Sequence, residues 1–154
     1  AFYNPTNTAV PDLYQLSYAA HVGYIGWMPD VSHPIMAGTT GKSRYLEAIR
    51  LGKAVSLRDG SPIAIQCDAK AASQWLPPVT LSSSQPCGTT GQRKALDALK
   101  LSLSPADAAR YDIYYNTHLS WVGWQGWKKN GEVAGDRPGS QVEAVMIKLV
   151  EKSE

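Results

Sequence analysis

Three acidic residues occupy one recurring position in this chain: Glu47, Asp97 and Glu143. Each precedes an alanine and then an aliphatic residue, in Leu46-Glu-Ala-Ile49, Leu96-Asp-Ala-Leu99 and Val142-Glu-Ala-Val145. Two of them have a histidine at a matching place upstream. His21 and His118 each stand six residues before a tryptophan, Trp27 and Trp124, and three after a tyrosine, Tyr18 and Tyr115. In the middle copy Trp75 holds the tryptophan place, and Ala69 falls where the histidine would be. A carboxylate, an imidazole, a phenol and an indole together offer hydrogen bonds to hydroxyl groups and a flat apolar face. That is chemistry suited to holding a sugar, with Trp27, Trp75, Trp124 and Trp127 as the stacking surfaces. The same residues have a structural reading. Period-two logic places each acid on the apolar, inward side of a strand, where a carboxylate without a partner costs several kcal/mol. His21 and His118 would then staple two strands within their own repeats, and Lys70 would serve Asp97.

Catalysis is not expected from this set. Three carboxylates distributed by a threefold repeat do not flank one glycosidic bond at the roughly 5–10 Å that hydrolysis requires. No Gly-x-Ser-x-Gly elbow, HExxH pair, phosphate loop or dinucleotide fingerprint occurs, and Gly38-Thr-Thr-Gly41 is too short to cradle a nucleotide. His33 reads as a lone turn residue. No enzyme activity, cofactor or metal is therefore expected.

The elements that must position these residues recur with them. Ala37-Gly-Thr-Thr-Gly41 returns as Cys87-Gly-Thr-Thr-Gly91 and, loosely, as Ala134-Gly-Asp-Arg-Pro-Gly139. Gly38, Gly88 and Gly135 thus recur at a spacing typical of internally repeated folds. The repeats span approximately residues 13–57, 58–105 and 110–152, after an extended arm over 1–12 that contains two prolines. Alternating patterns predict strands at Leu13–Val22, Arg44–Leu51, Ile63–Cys67, Tyr111–Leu119 and Gln141–Val150. Lys94–Leu101 has helical propensity, but its alignment with the other two copies predicts a strand. Gly38–Gly41 reads as a hairpin turn, Asn130-Gly131 as a hairpin signal, and Ser104-Pro105 as the capped start of one helical turn. The expected fold is a single all-β domain over 13–154: three repeats of about four strands with pseudo-threefold symmetry, prism-like, with a β-trefoil as the alternative.

Composition agrees with a folded domain at 44% hydrophobic residues, while a net charge of +2 spread along the chain lacks the footprint of a nucleic-acid binder. No apolar run approaches the roughly 18 residues of a membrane span. Five Trp and eight Tyr against one Phe favour aromatics with a polar edge. Cys67 and Cys87 lack zinc-site spacing and read as one disulfide, consistent with a secreted protein.

His21-Val-Gly-Tyr-Ile-Gly-Trp27 with Ala37-Gly-Thr-Thr-Gly41 and Leu46-Glu-Ala-Ile49 resembles the clostridial hydrophobic, tryptophan-containing repeat (ChW). His118-Leu-Ser-Trp-Val-Gly-Trp-Gln-Gly-Trp127, followed by Asn130-Gly131, Ala134-Gly135 and Val142-Glu-Ala144, is similar to it again, and residues 63–103 match through their second half. Copy one departs from the pattern at Met28-Pro-Asp30 and His33-Pro34, and copy three at Asp136-Arg-Pro138. The resemblance implies a secreted, non-enzymatic module for cell-wall or carbohydrate attachment. The expected function is lectin-like binding of a glycan or cell-wall polysaccharide at up to three equivalent sites. The alternative is a protein-interaction module that uses one aromatic patch.

Overall fold

The computed structural model describes residues 13–152, so the arm read over 1–12 lies outside the described residues. Repeat one contains β1 (Tyr14–Val22), β2 (Gly26–Trp27), β3 (Val31–Ser32), β4 (Ala37–Gly38) and β5 (Leu46–Ser56). Repeat two contains β6 (Ile65–Ala71), β7 (Gln74–Trp75), β8 (Val79–Thr80), β9 (Cys87–Gly88) and β10 (Leu96–Leu103). After one helical turn, α1 (Pro105–Ala108), repeat three contains β11 (Tyr111–Leu119), β12 (Gly123–Trp124), β13 (Lys128–Lys129), β14 (Ala134–Gly135) and β15 (Val142–Glu151). The fold is all-β, with three antiparallel sheets each built on one long pair: β1 with β5, β6 with β10, and β11 with β15. The Lys94 segment is thus a strand.

The short glycine strands do not stay in their own repeats. β4 pairs with β15, β9 with β5, and β14 with β10, so each repeat lends a strand to a neighbour's sheet and the exchange closes in a circuit. One backbone contact repeats at all three seams. The amides of Thr39, Thr89 and Asp136 donate to the carbonyls of Glu143, Glu47 and Asp97 at 3.2, 3.1 and 2.7 Å. The Gly38–Gly41 stretch, expected as a hairpin turn, instead begins in the exchanged strand at Gly38 and bends away from it through Thr40 and Gly41. Asn130-Gly131 is a turn, but it hands the chain from β13 to the neighbouring sheet, where the Gly131 amide donates to the Leu101 carbonyl at 2.7 Å. Gly38 and Gly88 have φ of +105° and +116°, and a Cβ on either would collide with the carbonyl of the acid it faces. Only glycine allows strands this close.

A single core draws on all three repeats, including Leu16, Ile49, Ile65, Leu99, Ile113 and Ile147. Fully burying side chains of this size stabilises a fold by roughly 1.5–3 kcal/mol each. Asp68–Ala71 completes β6 with alternating burial. The helical turn is present with Ser104 at its start, but the Ser104 hydroxyl caps no backbone amide; it donates instead to the buried Asp107 at 2.8 Å, which also accepts from the Ala64 amide at 2.8 Å. Cys67 on β6 and Cys87 on β9 form a disulfide with Cα atoms 6.1 Å apart, tying the exchanged strand to the core of its own repeat.

Candidate functional site

The site begins with a break in the ladder. His21 stands opposite Ala48 and Val22 opposite Leu46, so Glu47 has no cross-strand partner. Asp97 is skipped between Leu96↔Ala71 and Ala98↔Lys70, and Glu143 between His118↔Ala144 and Leu119↔Val142. Each acid is the extra residue of a β-bulge, a device that re-aims a side chain. Leu46 and Ile49, Leu96 and Leu99, and Val142 and Val145 face the core around them. The period-two expectation that each acid shares a face with the core aliphatics fails at this point. The bulge turns it instead under the glycine loop of the adjoining repeat, where Glu47 is 2% and Glu143 5% exposed.

The three carboxylates are satisfied differently. Glu47 accepts from the Arg93 amide at 2.8 Å and, weakly, the Gly91 amide at 3.4 Å, both on the loop of repeat two. His21 Nδ1 lies 2.9 Å from its Oε1, but off the line of a directed hydrogen bond. Asp97 accepts from the Ser73 amide of its own repeat at 2.7 Å. Glu143 meets only His118 Nδ1, at 3.1 Å. Gly41 and Ser43, which correspond to Gly91 and Arg93, donate nothing to it, so among the described residues one carboxylate oxygen of Glu143 has no protein partner. His118 donates through Nδ1, which leaves Nε2 as an acceptor in the neutral ring.

Glu143 borders a cleft of about 390 Å³ at the seam between repeats three and one, lined also by His118, Trp121, Gly41, Ser43 and Tyr45. A second cleft, about 290 Å³, occupies the seam between repeats one and two with Glu47, His21, Tyr24, Ile25, Gly91 and Arg93. Position by position the two correspond. Trp121 and Tyr24 are the tips of the turns after the histidines, 91% and 71% exposed. Both are left-handed, with φ of 67° and 68°, a conformation that a bulky L-residue rarely adopts. Arg93 covers Tyr24, its guanidinium carbon 5.2 Å from the ring centroid, whereas Ser43 leaves Trp121 uncovered. Burial raises the Tyr45 pKa, and the nearby Tyr24 and Glu47 raise it further, so its hydroxyl remains a donor through neutral pH.

The third seam is built differently. Lys70, not Ala69, stands opposite Trp75, because the turn at Ala72-Ser73 is shorter than its counterparts and shifts the register by one. Lys70 is therefore at the histidine place. Its ammonium pairs at 2.8 Å with Asp136 of the adjoining repeat rather than with Asp97, the partner expected for it. Ala72 holds the turn position of Tyr24 and Trp121.

The expected aromatics go elsewhere. Tyr18 and Tyr115 are fully buried in the core. The Tyr18 hydroxyl accepts from the Ile147 amide at 2.9 Å and donates to the Ile35 carbonyl, and its pKa is pushed up to about 12, chiefly by burial. Tyr115 donates to the Glu132 carbonyl. Trp27, Trp75 and Trp127 each carry a cation over the ring, from Arg50, Lys100 and Lys148 at 4.5, 4.5 and 4.4 Å. Trp27 and Trp124 also meet His21 and His118 edge-on, with centroids 5.1 and 5.2 Å apart. They buttress the histidines and line neither cleft. Sequence reasoning missed Tyr24 and Trp121, although the signal was present: an aromatic three residues after each histidine, inside a turn.

Residues 21–52 match the ChW family, described as clostridial hydrophobic W. The matched segment runs from His21 through Trp27 and the exchanged strand β4 to Glu47 on β5. It thus holds both halves of the seam chemistry: a histidine and acid for one cleft, and the Gly41–Tyr45 loop for the other. The ChW segment cannot complete either cleft alone, because each needs a loop or a bulge from another repeat. No curated protein and no solved structure matches.

Proposed function

We propose that this protein is a non-enzymatic carbohydrate-binding module whose principal site is the cleft between repeats three and one. The observation that carries this reading is the free carboxylate oxygen of Glu143, held by His118 beside the uncovered ring of Trp121. A carboxylate and an imidazole nitrogen accept from sugar hydroxyls, Tyr45 donates, and the indole face takes the apolar side of a pyranose. The cleft between repeats one and two is a secondary site, because Glu47 is already engaged by the facing loop. Asp97 and Trp75 belong to a seam closed by Lys70 and Asp136. Two sites rather than three is the reading the geometry supports.

The match to ChW over residues 21–52, and the resemblance of the third copy to the same pattern, favour a cell-wall polysaccharide as the glycan and a secreted module as its carrier. Three separate four-wide sheets, with no closed barrel among the described residues, favour a prism over a trefoil. The test is a glycan array together with sedimentation on purified cell walls. Glu143→Gln should abolish retention at an unchanged melting temperature. Absence of binding to every glycan and to walls would overturn the reading, and would leave the uncovered turn tips as a protein-docking patch.

A further inference from the structure

The two clefts are not isolated from one another. Tyr45 lines the first cleft together with Trp121 and Glu143. Its ring also packs edge-on against Tyr24, with centroids 6.2 Å apart and planes at 72°, and Tyr24 lines the second cleft. Tyr45 is seated against Gly23, where a Cβ would approach its ring to 2.6 Å, so glycine there is what lets the ring lie between the two turns. The charge of Glu47, which belongs to the second cleft, contributes to the raised Tyr45 pKa, so this phenol of the first cleft is electrostatically coupled to the second. Aromatic surface therefore runs from Trp121 over Tyr45 to Tyr24 and ends under Arg93, with a histidine and an acid beside each end.

We propose that the two clefts are the ends of one groove that takes a single linear glycan strand, with Tyr45 as the shared platform in the middle. This rests on the carbohydrate reading above. A strand of pyranose rings presents flat apolar faces flanked by hydroxyls, and the groove presents aromatics flanked by acceptors and donors in the same alternation. Two separate monovalent sites would not need a ring held between them. The third seam, closed by the Lys70–Asp136 ion pair and bearing Ala72 in place of the aromatic, adds nothing to the groove.

The probe is peptide-free glycan strand from Gram-positive cell walls, cut by muramidase and fractionated as disaccharide and octasaccharide, with binding followed by titration calorimetry. A shared groove takes one octasaccharide per chain and holds it on the order of 100-fold more tightly than the disaccharide, as expected when linked contacts act together. Tyr45→Ala, checked by its melting temperature, should weaken the disaccharide through the lost donor and the octasaccharide by a clearly larger factor, because it also breaks the track between the clefts. If this variant fails to fold, Tyr24→Ala at the exposed end of the track should reduce octasaccharide affinity toward the disaccharide value. Two octasaccharides per chain with disaccharide-like affinity would overturn the shared groove and leave carbohydrate binding intact. Loss of all binding to both fragments would overturn both proposals.

Discussion

Replacing Trp121 with glycine should stabilise the protein and abolish binding. Trp121 holds φ at 67° on a turn tip with 91% of its surface exposed. The left-handed conformation costs an L-residue about 1–2 kcal/mol. An indole this exposed regains little of that through packing. Glycine removes the penalty but adds about 0.5–1 kcal/mol of unfolded-state entropy to be lost on folding. The net gain is about 0.5–1 kcal/mol, which for a chain of this size raises the melting temperature by about 1–4 °C. Trp121→Ala retains the strain, so its stability should stay within about 0.5 kcal/mol of the parent. Both variants should lose retention on cell walls. Thermal unfolding followed by circular dichroism, paired with the sedimentation assay, reads the two effects separately. If Trp121→Gly melts below the parent, the indole supports the fold and the argument from strain to function fails.

Other consequences are equally direct. Glu47→Ala removes the acceptor of one strong and one weak amide hydrogen bond across the seam. At about 1.5–3 kcal/mol for a charge-assisted bond, it should cost more stability than Glu143→Ala, as judged by urea midpoints. Equal midpoints would show that the two acids have the same structural role. Gly88→Ala combines a φ of +116° with a backbone collision and should cost about 2–5 kcal/mol, whereas Gly41→Ala, with open space around it, meets only the conformational penalty. Reducing Cys67–Cys87 should lower stability by about 3 kcal/mol through the freed loop entropy, seen as a lower melting temperature in reductant. At high pH the unfolded chain releases the Tyr18 proton near pH 10 while the folded chain holds it to about pH 12. Stability from this residue, complete below pH 10, therefore falls by about 2–3 kcal/mol across that window. Urea titrations of the parent and Tyr18→Phe should converge as the pH rises through it.

The sequence made the repeat, the all-β class, the histidine–acid pairs and the cysteine pair visible because each depends on spacing along one chain. It did not reveal which repeat completes which site. The glycine strands carry only two residues each, too few to announce a partner, and their exchange is set by close backbone approach at Gly38, Gly88 and Gly135. The bulge was equally hidden. Leu-Glu-Ala-Ile scans as alternation, and only the pairing shows that the acid is skipped. Tyr18 and Tyr115 drew notice by their constant distance from the histidines, yet that distance reflects strand periodicity. On β1 and β11 an odd separation puts the tyrosine on the opposite face from the histidine, which is the core face. The tryptophans misled for a related reason. Lying opposite or near cationic positions on adjacent strands, Trp27, Trp75 and Trp127 receive Arg50, Lys100 and Lys148 over their rings, and those faces are no longer free.

Pseudo-symmetry in this fold fixes position without fixing role. All three acids are the bulge residue of their sheet, and all three carry the backbone carbonyl that receives the neighbouring exchanged strand. What separates them is how many donors are turned toward the side chain. The loop of repeat two gives Glu47 the Gly91 and Arg93 amides, so most of its hydrogen-bonding capacity is spent holding two repeats together. Asp97, one methylene shorter, is occupied by Ser73 of its own turn. The loop of repeat one gives Glu143 nothing, and the acid keeps an open acceptor in the cleft it shares with Trp121, the least covered aromatic among the described residues. The staple and the site are thus one device with different occupancy. A simple exchange tests this directly: Ser43→Arg, which copies the cation of the second seam into the first, should cover Trp121, lower its accessibility to acrylamide quenching and weaken glycan binding. If quenching and binding both stay at the parent level, the difference between the two clefts does not come from the loop residue that faces the turn.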